Sequence, residues 1–240
     1  VSPVALLGEI AASRRRTAGG GTAAYRAAVA ADSPILFAPL DDPSGSFTDL
    51  STNAFVGTGH GTLTRNQTTG LTSLGSGVLT GGSSSDFVTF PDNAALDIVG
   101  DVTYEAWIKC ASGASTNRNF MTKSNDGASG GYGFWIGTAN KLLVTNVGAG
   151  TTLILGSATL SVGTLYHVAF TRATNAYITY INGVQDNTAS QSAAISPTTQ
   201  PFTIGTWSTL FLSGLIADVA VYNTALSAAR LLAHYNAGIA

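Results

Sequence analysis

The chain has 240 residues, 11 of them basic and 13 acidic, and a formal net charge of −2. Charged residues make up 10% of it, hydrophobic residues 45%, and 28 positions are glycine. This balance gives no electrostatic reason to expect nucleic acid as a partner. No apolar run approaches the roughly 18–20 residues that cross a bilayer as a helix.

Residues 1–33 differ from the rest. In "VSPVALLGEIAASRRR" a short apolar stretch precedes the basic run, the reverse of a secretory signal. Arg14, Arg15 and Arg16 read either as a solvated tail or as a contact for an acidic partner surface. Gly19-Gly20-Gly21 reads as a hinge, because glycine is costly inside a helix. "TAAYRAAVAAD" then predicts a short helix ended by Ser33-Pro34.

From Ile35 onward strand signals dominate. "ILFAPL" is a short apolar run closed by the turn "DDPSGS". "DFVTF" (86–90) alternates, and "PDNAALDI" (91–98) predicts one helical turn with Asp92 as its cap and Leu96 facing inward. "VTYEAWIKC" (102–110) alternates throughout. Tyr104, Ala106 and Ile108 share one face, and Glu105, Trp107 and Lys109 the other. Trp107 among polar neighbours predicts that both faces are covered in places. The single cysteine, Cys110, can form no intrachain disulfide and reads as a small hydrophobe at the strand end. Further strands are predicted at "GYGFWIG", "KLLVTNV", "TLILG", "TLYHVAFTR", "AYITYIN", "PFTIG" and "LIADVAVY", with a hairpin turn at Asn182-Gly183. The chain closes with a helix starting at Thr224 or Ser227. Many short strands separated by turn signals predict an all-β sandwich or barrel.

Several stretches together resemble a known family. "SPILFAPLDDPSGSFTDLSTN", "DFVTFPDNAALDIVGDVTYEAWIK", "TLYHVAFTR…AYITYINGVQ" and "PFTIG…GLIADVAVYNTALSAARLLAHYNAG" are similar, in this order, to the laminin G-like, concanavalin A-like jelly rolls. The resemblance implies a two-sheet antiparallel jelly roll over residues 34–240, with a short C-terminal helix and residues 1–33 as an N-terminal arm. "AAYRAAVAADSPILFAPLDD" also resembles the lead-in of such modules in bacteriophage structural proteins. That implies a capsid-decoration or tail component on the virion surface, multimeric in its assembly. It would hold other virion proteins through the arm and touch host-surface glycans. A secreted bacterial carbohydrate-binding or adhesion module is the alternative, and a glycan hydrolase a third reading.

The residues weigh on these readings. Glucan-hydrolysing jelly rolls carry paired carboxylates about 5–5.5 Å apart for a retaining mechanism. Here Glu105 stands without such a pair and reads as a structural hydrogen-bonding residue, so no catalytic residue is assigned. His60, His167 and His234 occur in unrelated contexts, and no nucleophile elbow is present. For a structural Ca²⁺, which the family implies, the candidates are Asp41 and Asp218. The family's usual side-chain ligand position holds Ala217, with Asp218 displaced by one residue. No other cofactor is expected. Sugar-stacking candidates are Tyr132, Trp135, Trp207 and Phe211.

Overall fold

The structure is a computed structural model that describes residues 20–240 apart from 82, 114–115, 125–129 and 194. Arg14, Arg15 and Arg16 lie outside the described residues. Helix α1 (Gly20–Ala30) comes first, followed by strands β1 (Leu36–Ala38), β2 (Phe47–Thr48), β3 (Val56–His60), β4 (Thr64–Thr68), β5 (Ser76–Gly81) and β6 (Phe87–Phe90). Next are β7 (Val102–Cys110), β8 (Arg118–Thr122), β9 (Tyr132–Ile136), β10 (Leu142–Asn146), β11 (Thr151–Leu155) and β12 (Leu165–Ala173). The chain ends with β13 (Ala176–Ile181), β14 (Val184–Ser190), β15 (Phe202–Ile204), β16 (Thr206–Trp207), β17 (Leu210–Phe211), β18 (Ser213–Tyr222) and helix α2 (Ala228–Ile239).

Among the described residues the strands form two eight-stranded antiparallel sheets. The first runs β14-β13-β12-β7-β18-β5-β4, with β1 paired to the far half of β18. The second runs β11-β10-β9-β8-β15-β6-β3-β2, and β16 and β17 make a separate small hairpin. Asn182 and Gly183 both have positive φ, 53° and 74°, as a two-residue hairpin turn requires.

The sheets close on a common core. Tyr104, Ala106, Ile108, Val168 and Phe170 from the first meet Phe120, Phe134, Phe90 and Phe202 from the second. The expected one-turn helix appears as a 3₁₀ turn, Ala94–Leu96, with Leu96 buried. Asn93, not Asp92, caps it, accepting from the Ala95 N–H at 2.9 Å. Asp92 instead pairs with Lys123 at 2.6 Å.

The outer face of the first sheet is buried too. Trp107, Ala169, Leu215, Ala217, Ala220 and Tyr222 form a second apolar layer with Tyr25 and Val29 of α1 and Leu231 of α2. Trp107 is 1% exposed, which accounts for a large apolar residue on the polar-looking side of "VTYEAWIKC". Ser227 caps α2, accepting from the Arg230 N–H. Gly20 and Gly21 form the first turn of α1 rather than a hinge. The first N–H groups of a helix need no intrahelical acceptor, and burial of Tyr25 and Val29 outweighs the roughly 1 kcal/mol that each glycine costs against alanine. Residues 20–30, expected in the arm, therefore pack on the sandwich.

Candidate functional site on the open sheet

Among the described residues, helices cover one sheet and the outer face of the other is the large sheet surface left open. Its side chains follow from strand alternation. In β6, Val88 and Phe90 enter the core while Phe87 and Thr89 face out, half-buried. In β15, Phe202 and Ile204 enter and Thr203 faces out. The registers place Thr58 opposite Thr89, Thr89 opposite Thr203, and Thr203 opposite Thr122. Four strands thus carry a threonine each in one row. Neighbours in such a row lie about 4.8 Å apart. Thr122 is buried and donates to the Tyr132 carbonyl at 3.2 Å. His60 stacks on Phe87, with ring centroids 4.3 Å apart, and its Nε2 lies 2.9 Å from Thr89 Oγ1.

An aromatic pair stands beside the row. Trp135 projects from β9 across Gly133, where any Cβ would collide with its indole. Its Nε1 donates to Thr145 Oγ1 at 2.9 Å. Trp207, on the β16–β17 hairpin, meets it edge-on at 5.4 Å. Trp207 is half-buried, and among the described residues its Nε1 has no partner. Between Trp207 and the threonines lies a cleft of about 230 Å³, lined by Phe87, Thr89, Gln200, Pro201, Thr203 and Trp207 among others. Its 198–200 wall is held from behind. Lys123 Nζ, 2% exposed, donates to the Thr198 carbonyl at 2.9 Å and the Gln200 carbonyl at 2.6 Å. Its charge is balanced by Asp92 at 2.6 Å and Asp97 at 3.2 Å.

The four stacking candidates therefore separate. Trp207 lies at the cleft. Trp135 is 5% exposed and supports Trp207 from below. Tyr132 belongs to the core, where its hydroxyl accepts from Arg172 at 3.0 Å, so it offers no face to a ligand. Phe211 pairs with Thr206 while Trp207 pairs with Leu210, which places Phe211 on the other side of the hairpin from Trp207. Sequence reading missed Phe87, Thr89, Gln200 and Thr203. The alternation of "DFVTF" was a signal for the first two, but nothing local joins residues 58, 89, 122 and 203.

The carboxylates sit on the opposite side, under the helices. Glu105 is fully buried and accepts from His167 Nε2 and His234 Nδ1, both at 3.1 Å, and from the Tyr222 hydroxyl. His234 Nε2 also reaches Asp32 at 2.9 Å. Burial opposes the Glu105 charge, but the two histidines hold its carboxyl well below the usual range. Burial lowers His234, and the Glu105 and Asp32 carboxylates more than reverse this, so its proton is held more firmly than usual. Glu105 thus ties α2 to the sheet.

Asp218 sits at φ 50° on a bulge between Ala217 and Ala220, and its N–H donates to the Pro39 carbonyl at 3.1 Å. It is fully buried, and among the described residues neither carboxylate oxygen has a partner. Burial pushes its carboxyl up to about 8, opposed by Arg26 and reinforced by Asp41 and Glu105. Asp41 itself pairs with Arg26. The bulge thus brings Asp218 into the field of Asp41 despite the one-residue displacement, but a guanidinium already serves that charge. Among the described residues no group of three or more His, Cys, Asp or Glu side chains could hold a metal. Calcium takes about six to eight oxygens, backbone carbonyls and waters among them, but of the two candidate carboxylates Asp41 is paired with Arg26 and burial keeps Asp218 protonated near neutral pH, so as placed neither offers the ion a free charge.

Two antiparallel sheets closed face to face over one core, with one face roofed and one open, define a jelly-roll sandwich. Residues 81–231 match the concanavalin A-like lectin/glucanases superfamily, and the chain belongs to it. Among solved structures it is similar to the binding domain of Paraclostridial Mosquitocidal Protein 1, with a TM-score of 0.69 and 13% identity, covering 85% of this chain and 52% of that one. Domain 4 of AbnA, an extracellular GH43 arabinanase of Geobacillus stearothermophilus solved with arabinotriose, has a TM-score of 0.66 and 17% identity, covering 84% of this chain and 98% of that one. The botulinum neurotoxin serotype D ligand binding domain, solved with N-acetylneuraminic acid, has a TM-score of 0.67 and 16% identity, covering 87% of this chain and 52% of that one. The chain thus spans about half the length of the toxin domains it resembles. No curated protein sequence matches it.

Proposed function

We propose that this chain is a non-catalytic glycan-binding module, and that it works at a virion surface. The observation that carries the first part is Trp207, half-buried at a cleft edged by threonine hydroxyls and the Gln200 side chain. A sugar ring presents an apolar face and a rim of hydroxyls, so an aromatic face beside neutral polar groups is the matching surface. Arabinotriose on the AbnA domain and N-acetylneuraminic acid on the neurotoxin domain support the reading by analogy of fold. The absence of turnover is supported by the position of Glu105, which is engaged by three partners beneath the helices. The virion setting is supported by the phage-like lead-in before β1, and incorporation into particles is its test.

Retention on immobilised glycans tests the binding. Trp207→Ala should weaken it by roughly fivefold, the equivalent of about 1 kcal/mol from one stacking contact. The melting temperature should change little, because the hairpin lies outside the core. Unchanged retention would remove Trp207 from the site, and unfolding would make it a structural residue.

A further inference from the structure

The cleft's chemistry narrows its ligand, given that it binds glycans at all. We infer that it takes uncharged sugars and discriminates against sialylated or uronate-bearing ones. Among the described residues, those that line it are aromatic, hydroxyl, amide or proline, and none is ionisable. Among the described residues, Lys123, Arg118 and Arg65 are engaged elsewhere. Lys123 lies behind the Gln200 wall, buried, and neutralised by Asp92 and Asp97. Arg118 donates to the Ser112 carbonyl and to Asn140 Oδ1, and Arg65 to the Asp42 and Gly45 carbonyls. His60, the nearest titratable ring, is stacked on Phe87 with Nε2 against Thr89. Residues 125–129, which follow the lining residue Ser124, include Asp126 and no base.

A carboxylate entering this cleft would leave its water and meet no cation, a cost that sugar hydroxyls escape. Hydroxyls can exchange water for Thr89, Thr203 and Gln200, which both donate and accept. At about 230 Å³ the cleft is smaller than the roughly 300 Å³ of typical small-molecule pockets, which suits one sugar residue at a time.

The test uses the full chain at neutral pH, with lactose and sialyllactose, and with galactan, arabinan and polygalacturonate, as probes. At least one neutral probe should bind, and its acidic counterpart should bind about tenfold or more weakly. Affinity for the neutral probe should change less than about twofold between low and high salt, since no ion pair forms. Thr203→Lys should raise the affinity for the acidic counterpart and make it salt-dependent. Tighter binding of an acidic probe, or steep salt dependence in the unaltered chain, would overturn the inference and leave glycan binding standing. If no probe binds, or if binding survives Trp207→Ala unchanged, the glycan-binding reading of the cleft fails and this inference fails with it.

Discussion

Asp218 is a buried carboxyl with neither oxygen partnered among the described residues, and its consequence is a pH dependence. In the unfolded chain it ionises near 3.8, and in the folded chain it keeps its proton up to about 8. Between those values the folded state binds more protons, so stability falls as pH rises. His234 acts in the same direction at the upper end. Its raised folded value makes its contribution complete below about 6.5 and lost as pH climbs through the higher folded value. Glu105 acts at the lower end, where its depressed value gives stability that is present above about 4.5 and lost in acid. The melting temperature should therefore be highest in mildly acidic solution and fall from pH 6 to pH 9. Asp218→Asn removes the ionisation and suits the positive φ, which asparagine tolerates. That variant should flatten the fall and gain on the order of a few kcal/mol at pH 9, with a smaller gain of about 1–2 kcal/mol at pH 5. Equal stability of both proteins at pH 9 would show that water or a cation reaches Asp218 in solution.

Helix α1 is the element whose role changes most between sequence and structure. Its composition is that of a weak, alanine-rich helix, and in isolation 11 residues would be marginal. Docking supplies what propensity does not. Tyr25 and Val29 are fully buried, and Tyr25 meets Trp107 edge-on at 6.3 Å. Asp32, just beyond the helix, binds Arg230 at 2.8 Å and His234 at 2.9 Å on α2. Tyr25→Ala should cost about 3 kcal/mol, or roughly 6–12 °C in melting temperature for a domain of this size. A chain shortened to begin at Ser33 should lose more, because Trp107 and the His234 cluster would then face water. Scanning calorimetry of both against the full chain decides the matter. A shortened chain that melts with the full one would return residues 20–30 to the status of an appendage.

At the scale of the whole molecule the sandwich has two unlike sides. One sheet is roofed by the first described helix and the last, and the other presents the cleft. A module that binds weakly per site gains adhesion from many copies on one particle, and a cleft on the face opposite the helices remains accessible when the helix side is turned to a support. Arg14, Arg15 and Arg16 precede α1 in the chain, and on the proposed virion reading they are the contacts to an acidic particle surface. Replacing all three with alanine should leave the melting temperature unchanged and reduce incorporation into particles stripped of this chain. Equal incorporation of the two proteins would place the attachment on the sandwich.

Much of this was legible locally. Period-2 alternation in "DFVTF" and "VTYEAWIKC", the Asn182-Gly183 turn and the Ser227 cap report short-range geometry, which a sequence carries directly, and the order of segments carries the family resemblance. The sandwich followed from them, and Trp107 on a polar-looking face announced a second covered layer. What covers it could not be read, because the packing of α1 and α2 depends on contacts about 200 residues apart in the chain, such as Arg230 with Asp32. The same holds for the cleft. Threonines 58, 89, 122 and 203 are ordinary strand residues until strand order and register set them side by side. Tyr132, Trp135, Phe211 and Trp207 are all stacking residues by type, Trp207 stands out in sequence only by its place at a strand end, and burial and orientation separate the four. Residue types and periods determined the elements and an all-β sandwich or barrel, and the family resemblance chose the sandwich. Register between distant strands, fixed when both sheets close on one core, decided which side chains meet and which face stays open.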